Sequence, residues 1–85
     1  MGKNKRHNKP PCLDLHGFTV DQVEDTVDRF LRDARGDRAL IMTGKGSGKV
    51  RETVIGYLKL AQYPWQFETG ANGQPNQGVI VVFLD

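Results

Sequence analysis

The chain has 85 residues, enough for one small domain, and 38% hydrophobic with 26% charged residues is typical of a soluble globular protein. Its single cysteine, Cys12, excludes an internal disulfide and favours a reducing, cytoplasmic setting. No apolar run approaches the roughly 18 residues that cross a membrane, and no signal-peptide core follows the basic N-terminus. We therefore expect a cytoplasmic monomer with no membrane partner.

The net charge of +2 is unevenly distributed along the chain. Four of the twelve basic residues lie within residues 1–11, which leaves eight basic and ten acidic residues in 12–85. Residues 1–11 lack apolar periodicity and end in Pro10-Pro11, so they are predicted to be a disordered basic tail. Such a tail either binds nucleic-acid phosphate or is only a solvated terminus. The acidic balance of residues 12–85 argues against extensive wrapping of DNA.

The first folded segment predicts a strand followed by a helix. Residues 12–16 alternate apolar and polar side chains, as in a half-buried strand. Thr19 is a candidate N-cap, and Gln22 three residues later completes a capping-box pattern. The helix is expected to stop at Gly36. Its apolar stripe follows three- and four-residue steps and comprises Val20, Val23, Val27, Phe30, Leu31 and Ala34.

The next segment predicts a second strand and a second helix. The short apolar run Ala39–Met42 is typical of a strand buried on both faces, as in a parallel pair. Its link to the first strand runs through a helix, which makes a βαβ unit. The second helix is predicted from Lys49 or Val50 to about Ala61, and Tyr63-Pro64 is expected to break it.

The C-terminal segment predicts a hairpin. Residues 65–69 alternate again, residues 70–77 are turn-forming throughout, and residues 78–84 are rich in Val and Ile. The predicted fold class is therefore α/β, a two-layer sandwich with the order β-α-β-α-β-β. Its helices pack on a small mixed sheet.

Asp14 and His16 lie two residues apart at the end of the first predicted strand. Their side chains would share one face, while Leu13 and Leu15 would face the core. An imidazole can pass protons near neutral pH, and a carboxylate can orient it or hold a divalent cation. The alternative is structural, with His16 hydrogen-bonded to a loop and Asp14 capping a neighbouring element.

A glycine-rich segment, Thr43-Gly44-Lys45-Gly46-Ser47-Gly48-Lys49, follows the second predicted strand. It is not a nucleotide-triphosphate loop, because position 43 is Thr and Val50 follows Lys49; the dinucleotide fingerprint fails as well. Its glycines would let backbone amides approach an anion, and the next helix points its positive end the same way. The alternative is a mobile connection without a ligand. If the two strands are neighbours, both motifs meet on one rim and form a site for a phosphodiester.

Three further patterns have structural explanations. Arginines recur every third residue but with aspartates interleaved, which favours a solvated face over a basic stripe; they are Arg29, Arg32, Arg35 and Arg38. Trp65 and Phe67 could stack on bases, although an aromatic pair on a small sheet is more often part of the core. Cys12 has no partner at zinc-ligand spacing.

Three segments together resemble the Smr (small MutS-related) domain family over about residues 12–85. They are Leu13-Asp14-Leu15-His16-Gly17, the apolar strand leading into Thr43-Gly44-Lys45-Gly46, and the final strand Gly78-Val79-Ile80-Val81-Val82. The loop most resembles the version at the C-terminus of bacterial MutS-like ATPases. It lacks the His-Ser pair of many stand-alone members. The first motif keeps His16, where MutS-associated versions often have Arg.

The resemblance implies a fold similar to the C-terminal domain of translation initiation factor three. It also implies a nucleic-acid-binding domain, often an endonuclease that nicks or cleaves DNA or RNA. By motif match, Asp14 and His16 would be the catalytic pair and the loop would bind phosphate. The residues that we expect to bind phosphate or nucleic acid are Gly44, Lys45, Gly46, Ser47, Gly48, Lys49 and Arg51.

The partner implied is nucleic acid, with the ribosome or a MutS-like ATPase region as further candidates. A requirement for Mg²⁺ stays open, since Asp14 is the only acid inside either motif, and we assign no metal ligands. The alternative function is a non-catalytic module that binds nucleic acid or the ribosome. A third possibility is a protein-interaction domain.

Overall fold

Four strands form one mixed sheet in the computed structural model, which describes residues 9–44 and 48–84. The elements in chain order are β1 (Cys12–Asp14), α1 (Val20–Asp33), β2 (Arg38–Met42), α2 (Lys49–Leu60), β3 (Trp65–Thr69) and β4 (Pro75–Phe83). The strand order is β1-β2-β4-β3, with β1 and β2 parallel and the other two pairings antiparallel. The predicted element order and mixed sheet are thereby confirmed. Most of the predicted basic tail, residues 1–8, lies outside the described residues.

The core lies between the two helices and one face of the sheet. Ala39 and Ile41 of β2 are fully buried there, and the helices contribute Val23, Val27, Leu31, Val54 and Leu58. The prediction that the second strand is buried on both faces is wrong. Leu40 is half-buried and Met42 is 38% exposed, because α1 and α2 contact each other on the face of Ala39 and Ile41.

The start of α1 follows the sequence prediction closely. The Thr19 amide donates to Gln22 Oε1 at 3.0 Å, which is the glutamine half of the predicted capping box. Val20 was expected in the apolar stripe but is 42% exposed, since the first turn extends past the edge of the core. The helix ends at Asp33, and Gly36 takes a left-handed conformation (φ +100°) in the link to β2.

The end of α2 is fixed two residues before Pro64. Gln62 adopts φ +66°, its amide donates to the Lys59 carbonyl at 3.2 Å, and the Tyr63 amide donates to the Leu58 carbonyl at 2.9 Å. This pair of hydrogen bonds is a Schellman motif, which glycine usually closes. The predicted break at Tyr63-Pro64 therefore comes slightly late. Neither helix in the described part of the chain is long and apolar enough to cross a membrane.

The C-terminal hairpin is longer than predicted. The segment 70–77 was expected to be a turn, but β4 already begins at Pro75, opposite Thr69, beyond a bulge at Phe67/Glu68. Ladder pairing with β3 therefore overrides local turn propensity. Trp65 and Phe67 meet edge to face with ring centroids 5.2 Å apart and pack against the core, which confirms the core interpretation of this pair.

A hydrogen bond joins the two helices at the periphery of the core. The Tyr57 hydroxyl donates to Asp28 Oδ1 at 2.6 Å, and Asp28 Oδ2 pairs with Arg32 Nε at 3.1 Å. This hydrogen bond is the main cause that lowers the pKa of Asp28 and raises the pKa of Tyr57 to about 12. The ion pair fits the interpretation of the arginine pattern as a solvated face with local pairs.

The Tyr57–Asp28 hydrogen bond predicts a loss of stability in alkaline solution. An unfolded tyrosine loses its proton near pH 10, whereas folded Tyr57 holds its proton to about pH 12. The resulting stabilisation is fully present below pH 10 and is lost as the pH rises to about 12. Urea denaturation across this interval should show a smaller fall in the free energy of unfolding for Tyr57→Phe than for wild type. Tyr63→Phe, which leaves the hydrogen bond intact, is the control, and equal falls in all three proteins would contradict the prediction.

Candidate functional site

The carboxyl ends of β1 and β2 lie side by side at one edge of the sheet. Asp14 is opposite Met42 in the parallel register, and the Leu15 amide donates to the Met42 carbonyl at 2.9 Å. Because the strands are parallel, the loops that follow them start at the same edge. The segment that carries Asp14 and His16 thus adjoins the start of the glycine-rich loop, as the sequence predicted if the strands were neighbours.

The Asp14 side chain is bonded to the backbone of the residue two positions later. Its Oδ1 accepts a hydrogen bond from the His16 amide at 2.9 Å, and both residues are exposed. The predicted strand over 12–16 is too long, because the ladder ends at Asp14 and a turn follows in which Gly17 has φ +85°. Proximity of Asp14 to His16 therefore comes from this turn and not from the two-residue period of a strand. Leu15 is buried as expected, and Leu13 packs against the core from a half-buried position.

The glycine-rich loop is tied to β4 where it leaves β2. The amides of Thr43 and Gly44 both donate to the Gly78 carbonyl, at 2.9 and 3.3 Å, and Gly44 has φ +80°. These bonds fix the direction in which the loop departs. Three of the predicted phosphate-binding residues, Lys45, Gly46 and Ser47, lie outside the described residues.

The loop returns to described structure at the N-terminus of α2. Gly48 is the N-cap in a left-handed conformation, φ +69°, and has no side chain with which to cap the helix. First-turn amides of a helix have no acceptor within it, so they can bind an anion there. Lys49 is exposed in that turn. A Cβ added to Gly48 would lie 3.0 Å from Arg51 Nη2, which places the guanidinium group of Arg51 against the N-cap.

The surroundings of Cys12 disfavour the thiolate form of its side chain. Partial burial, followed by the negative charges of Asp14 and Glu68, raises the pKa of its thiol. A thiol that keeps its proton at neutral pH is a poor nucleophile and a poor metal ligand.

The described residues do not build a preformed metal site. Within 9–44 and 48–84, no three histidine, cysteine, aspartate or glutamate side chains converge. One oxygen of Asp14 is already engaged by the His16 amide. A magnesium ion at this carboxylate would take most of its ligands from water and from a bound phosphate.

Sequence reasoning missed a polar cleft beside the same edge. The cleft lies between Arg51 of α2 and the β3–β4 hairpin and has a volume of about 590 Å³; the hairpin residues that line it are Gly70, Asn72, Gln74, Pro75, Asn76 and Gln77. These residues were interpreted only as turn formers. The signal in the sequence was the excess of amide side chains, four within residues 72–77, beyond what a turn requires.

Comparison with known proteins agrees with this architecture. The model of the Smr domain matches residues 13–85. Proteins named "Endonuclease MutS2" from Lachnospira eligens and Ruminiclostridium cellulolyticum are 36% and 34% identical over 82% and 99% of this chain. The matched regions are 9% and 11% of those proteins, so the chain spans about a tenth of their length. The crystal structure of the Smr domain of Thermus thermophilus MutS2 matches with a TM-score of 0.73 and 29% identity, over 88% of this chain and 98% of that one.

The hydrogen bond from the His16 amide to Asp14 predicts that the Asp14 carboxylate stabilises the folded protein. Asp14→Ala removes the acceptor and should lower the free energy of unfolding by about 1 kcal/mol. Asp14→Asn keeps an acceptor oxygen at the same position and should lower it by less. Urea denaturation of both variants beside wild type measures the difference. Equal destabilisation by Ala and Asn would show that this hydrogen bond contributes nothing.

Proposed function

Because this chain belongs to the Smr domain family, we propose that it is a nucleic-acid-binding endonuclease domain that nicks or cleaves DNA or RNA phosphodiesters. The observation that carries the proposal is the shared edge of β1 and β2, where Leu15 bonds to Met42 and the two loops begin. The name of the longer relatives supports a nuclease-related role. This chain covers about a tenth of the length of those relatives, so the endonuclease activity is proposed for this chain and not carried over from the whole proteins.

The glycine-rich loop and the start of α2 would bind the phosphate. Gly44 and Gly48 have positive φ angles that suit close approach of the backbone to an anion. The amides at the N-terminus of α2 carry a partial positive charge, and Lys49 and Arg51 add full charges. The phosphate-binding segment would be completed by the three residues between Gly44 and Gly48, which are Lys45, Gly46 and Ser47.

His16 would act as the general base or acid. As a general base, its imidazole would take the proton from the attacking hydroxyl. As a general acid, its imidazolium would give a proton to the leaving oxygen. Asp14 would orient this residue indirectly, by bonding to the His16 backbone amide and so holding the turn that carries the imidazole. The loop amides and Lys45 would stabilise the charge that builds up on the phosphorane.

A non-catalytic module that binds nucleic acid or the ribosome is the second candidate. One observation favours it, namely that an Asp14 oxygen is already used by the backbone of its own turn, which is a structural role. The same loop, the same lysines and the basic N-terminal segment would serve such a module. A MutS-like ATPase region would be a further candidate partner, in view of the longer relatives.

Cleavage assays separate the enzyme from the binding module. We expect wild type to cleave at least one of labelled single-stranded RNA, duplex DNA and branched DNA, tested with and without magnesium. Asp14→Asn and His16→Ala should each abolish cleavage while the fold is retained, because the carboxylate charge and the imidazole are removed without loss of a core contact. Equal cleavage by wild type and by the double variant Asp14→Asn/His16→Ala would point to a contaminant and remove the enzyme proposal.

Salt-dependent binding separates the nucleic-acid module from a protein-interaction domain. Lys45→Ala should weaken binding to every oligonucleotide and reduce the slope of log affinity against log salt by about 1. Lys59→Ala, in the last turn of α2 and at the far end from the loop, is the matched control and should keep the wild-type slope. Fluorescence anisotropy over a salt series measures both. Absence of salt-dependent binding in wild type would favour a protein-interaction domain.

A further inference from the structure

The polar cleft between Arg51 and the β3–β4 hairpin has an unusual lining for a phosphate-binding surface. It contains one cation, four amide side chains, the Pro75 ring and no carboxylate. Surfaces that bind only the phosphate backbone rely on lysine and arginine. An amide side chain presents a donor and an acceptor together, which is the pattern found on the edge of a nucleobase.

The hairpin holds two of these four amides, those of Asn72 and Asn76, in a fixed arrangement. Asn72 Oδ1 accepts from the Gln74 amide and Asn76 Oδ1 accepts from the Gly78 amide, each at 3.0 Å. The Gly70 amide donates to the Gln74 carbonyl at 2.8 Å, which closes the turn. Each asparagine thus uses its oxygen for the fold and retains its NH₂ group as a donor. A ligand that binds here would not have to order the hairpin first.

Arg51 connects the cleft to the loop. Its guanidinium group lies against Gly48 at the N-cap of α2 and also lines the cleft. Among the described residues, no carboxylate forms an ion pair with Arg51, whereas Arg32 is paired with Asp28, so the charge of Arg51 is not neutralised there. Gly78, which follows the cleft residue Gln77 in β4, accepts the amides of Thr43 and Gly44 through its carbonyl, so β4 links the cleft to the start of the loop.

We propose that this cleft binds an unpaired nucleotide adjacent to the phosphate held by the loop, with the hairpin amides hydrogen-bonded to the edge of its base. The inference rests on the proposed function and specifies the substrate as single-stranded or locally unpaired nucleic acid. A base inside a duplex has its Watson–Crick edge engaged, whereas an unpaired base exposes that edge to side chains. Arg51 would neutralise the flanking phosphate, and Pro75 would pack against the sugar or the base.

The test compares oligoadenylate octamers that carry bases with abasic octamers of equal length. Fluorescence anisotropy should show that wild type binds the single-stranded, base-bearing octamer roughly tenfold more tightly than the abasic octamer. The same octamer annealed to its complement should bind like the abasic one. In the double variant Gln74→Ala/Gln77→Ala, the preference for bases should fall, because two of the four amides are removed, while the affinity for the abasic octamer stays at the wild-type value.

Gln66→Ala is the matched control, because Gln66 is an exposed glutamine of β3 that does not line this cleft. It should retain the tenfold preference for bases. Equal binding of base-bearing and abasic octamers by wild type would overturn this inference and leave the proposed function intact. An undiminished preference in Gln74→Ala/Gln77→Ala would assign base recognition to another surface and overturn the inference as well. No binding of any octamer at low salt would overturn the proposed function itself.

Discussion

The parallel pairing of β1 with β2 is the constraint on which the rest of the molecule depends. A parallel pair needs a crossover, which α1 supplies, and it directs both carboxyl ends to one edge of the sheet. Without that pairing, the Asp14–His16 turn and the glycine-rich loop would have no reason to meet. The backbone bond between Leu15 and Met42 extends the pairing one residue past the ladder, to the point where the two loops begin.

The strand β4, which is antiparallel to β2, fixes where the glycine-rich loop leaves the sheet. Gly78 is buried, and its carbonyl accepts two amides from the start of the glycine-rich loop. The same strand extends back to Pro75 and brings the hairpin amides beside Arg51. A single strand therefore anchors the loop with its backbone and lines the neighbouring cleft with its side chains.

Stability and the candidate function are supported by different parts of the molecule. The fully buried residues lie between the helices and the inner face of the sheet, and the Tyr57–Asp28 hydrogen bond ties the helices together. The candidate site lies at the strand ends, where Asp14, His16, Gly44 and Lys49 are all exposed. Substitutions at the site can thus change chemistry or binding at small cost to the core, since few packing contacts are lost there.

The sequence by itself determined the element order, the capping of α1 and the family. These follow from local chemistry, namely side-chain period, capping residues such as Thr19 and Gln22, and the two motifs. It could not determine the exact ends of β1 and β4, because ladder pairing across the sheet decides where a strand stops. Nor could it show that one face of β2 is free of helices, since this depends on both helices packing on the same side.

The candidate site divides in the same way. Asp14, His16 and the loop residues were predicted as candidates from their types and spacing together with the family resemblance, because few residues can move protons or bind an anion through the backbone. The turn that joins Asp14 to His16, the position of Arg51 against Gly48 and the cleft beneath the hairpin were decided only by the tertiary structure. The physical reason is that each of these three features depends on backbone geometry or on residues far apart in sequence. A local sequence pattern does not encode how close such groups come in the folded protein.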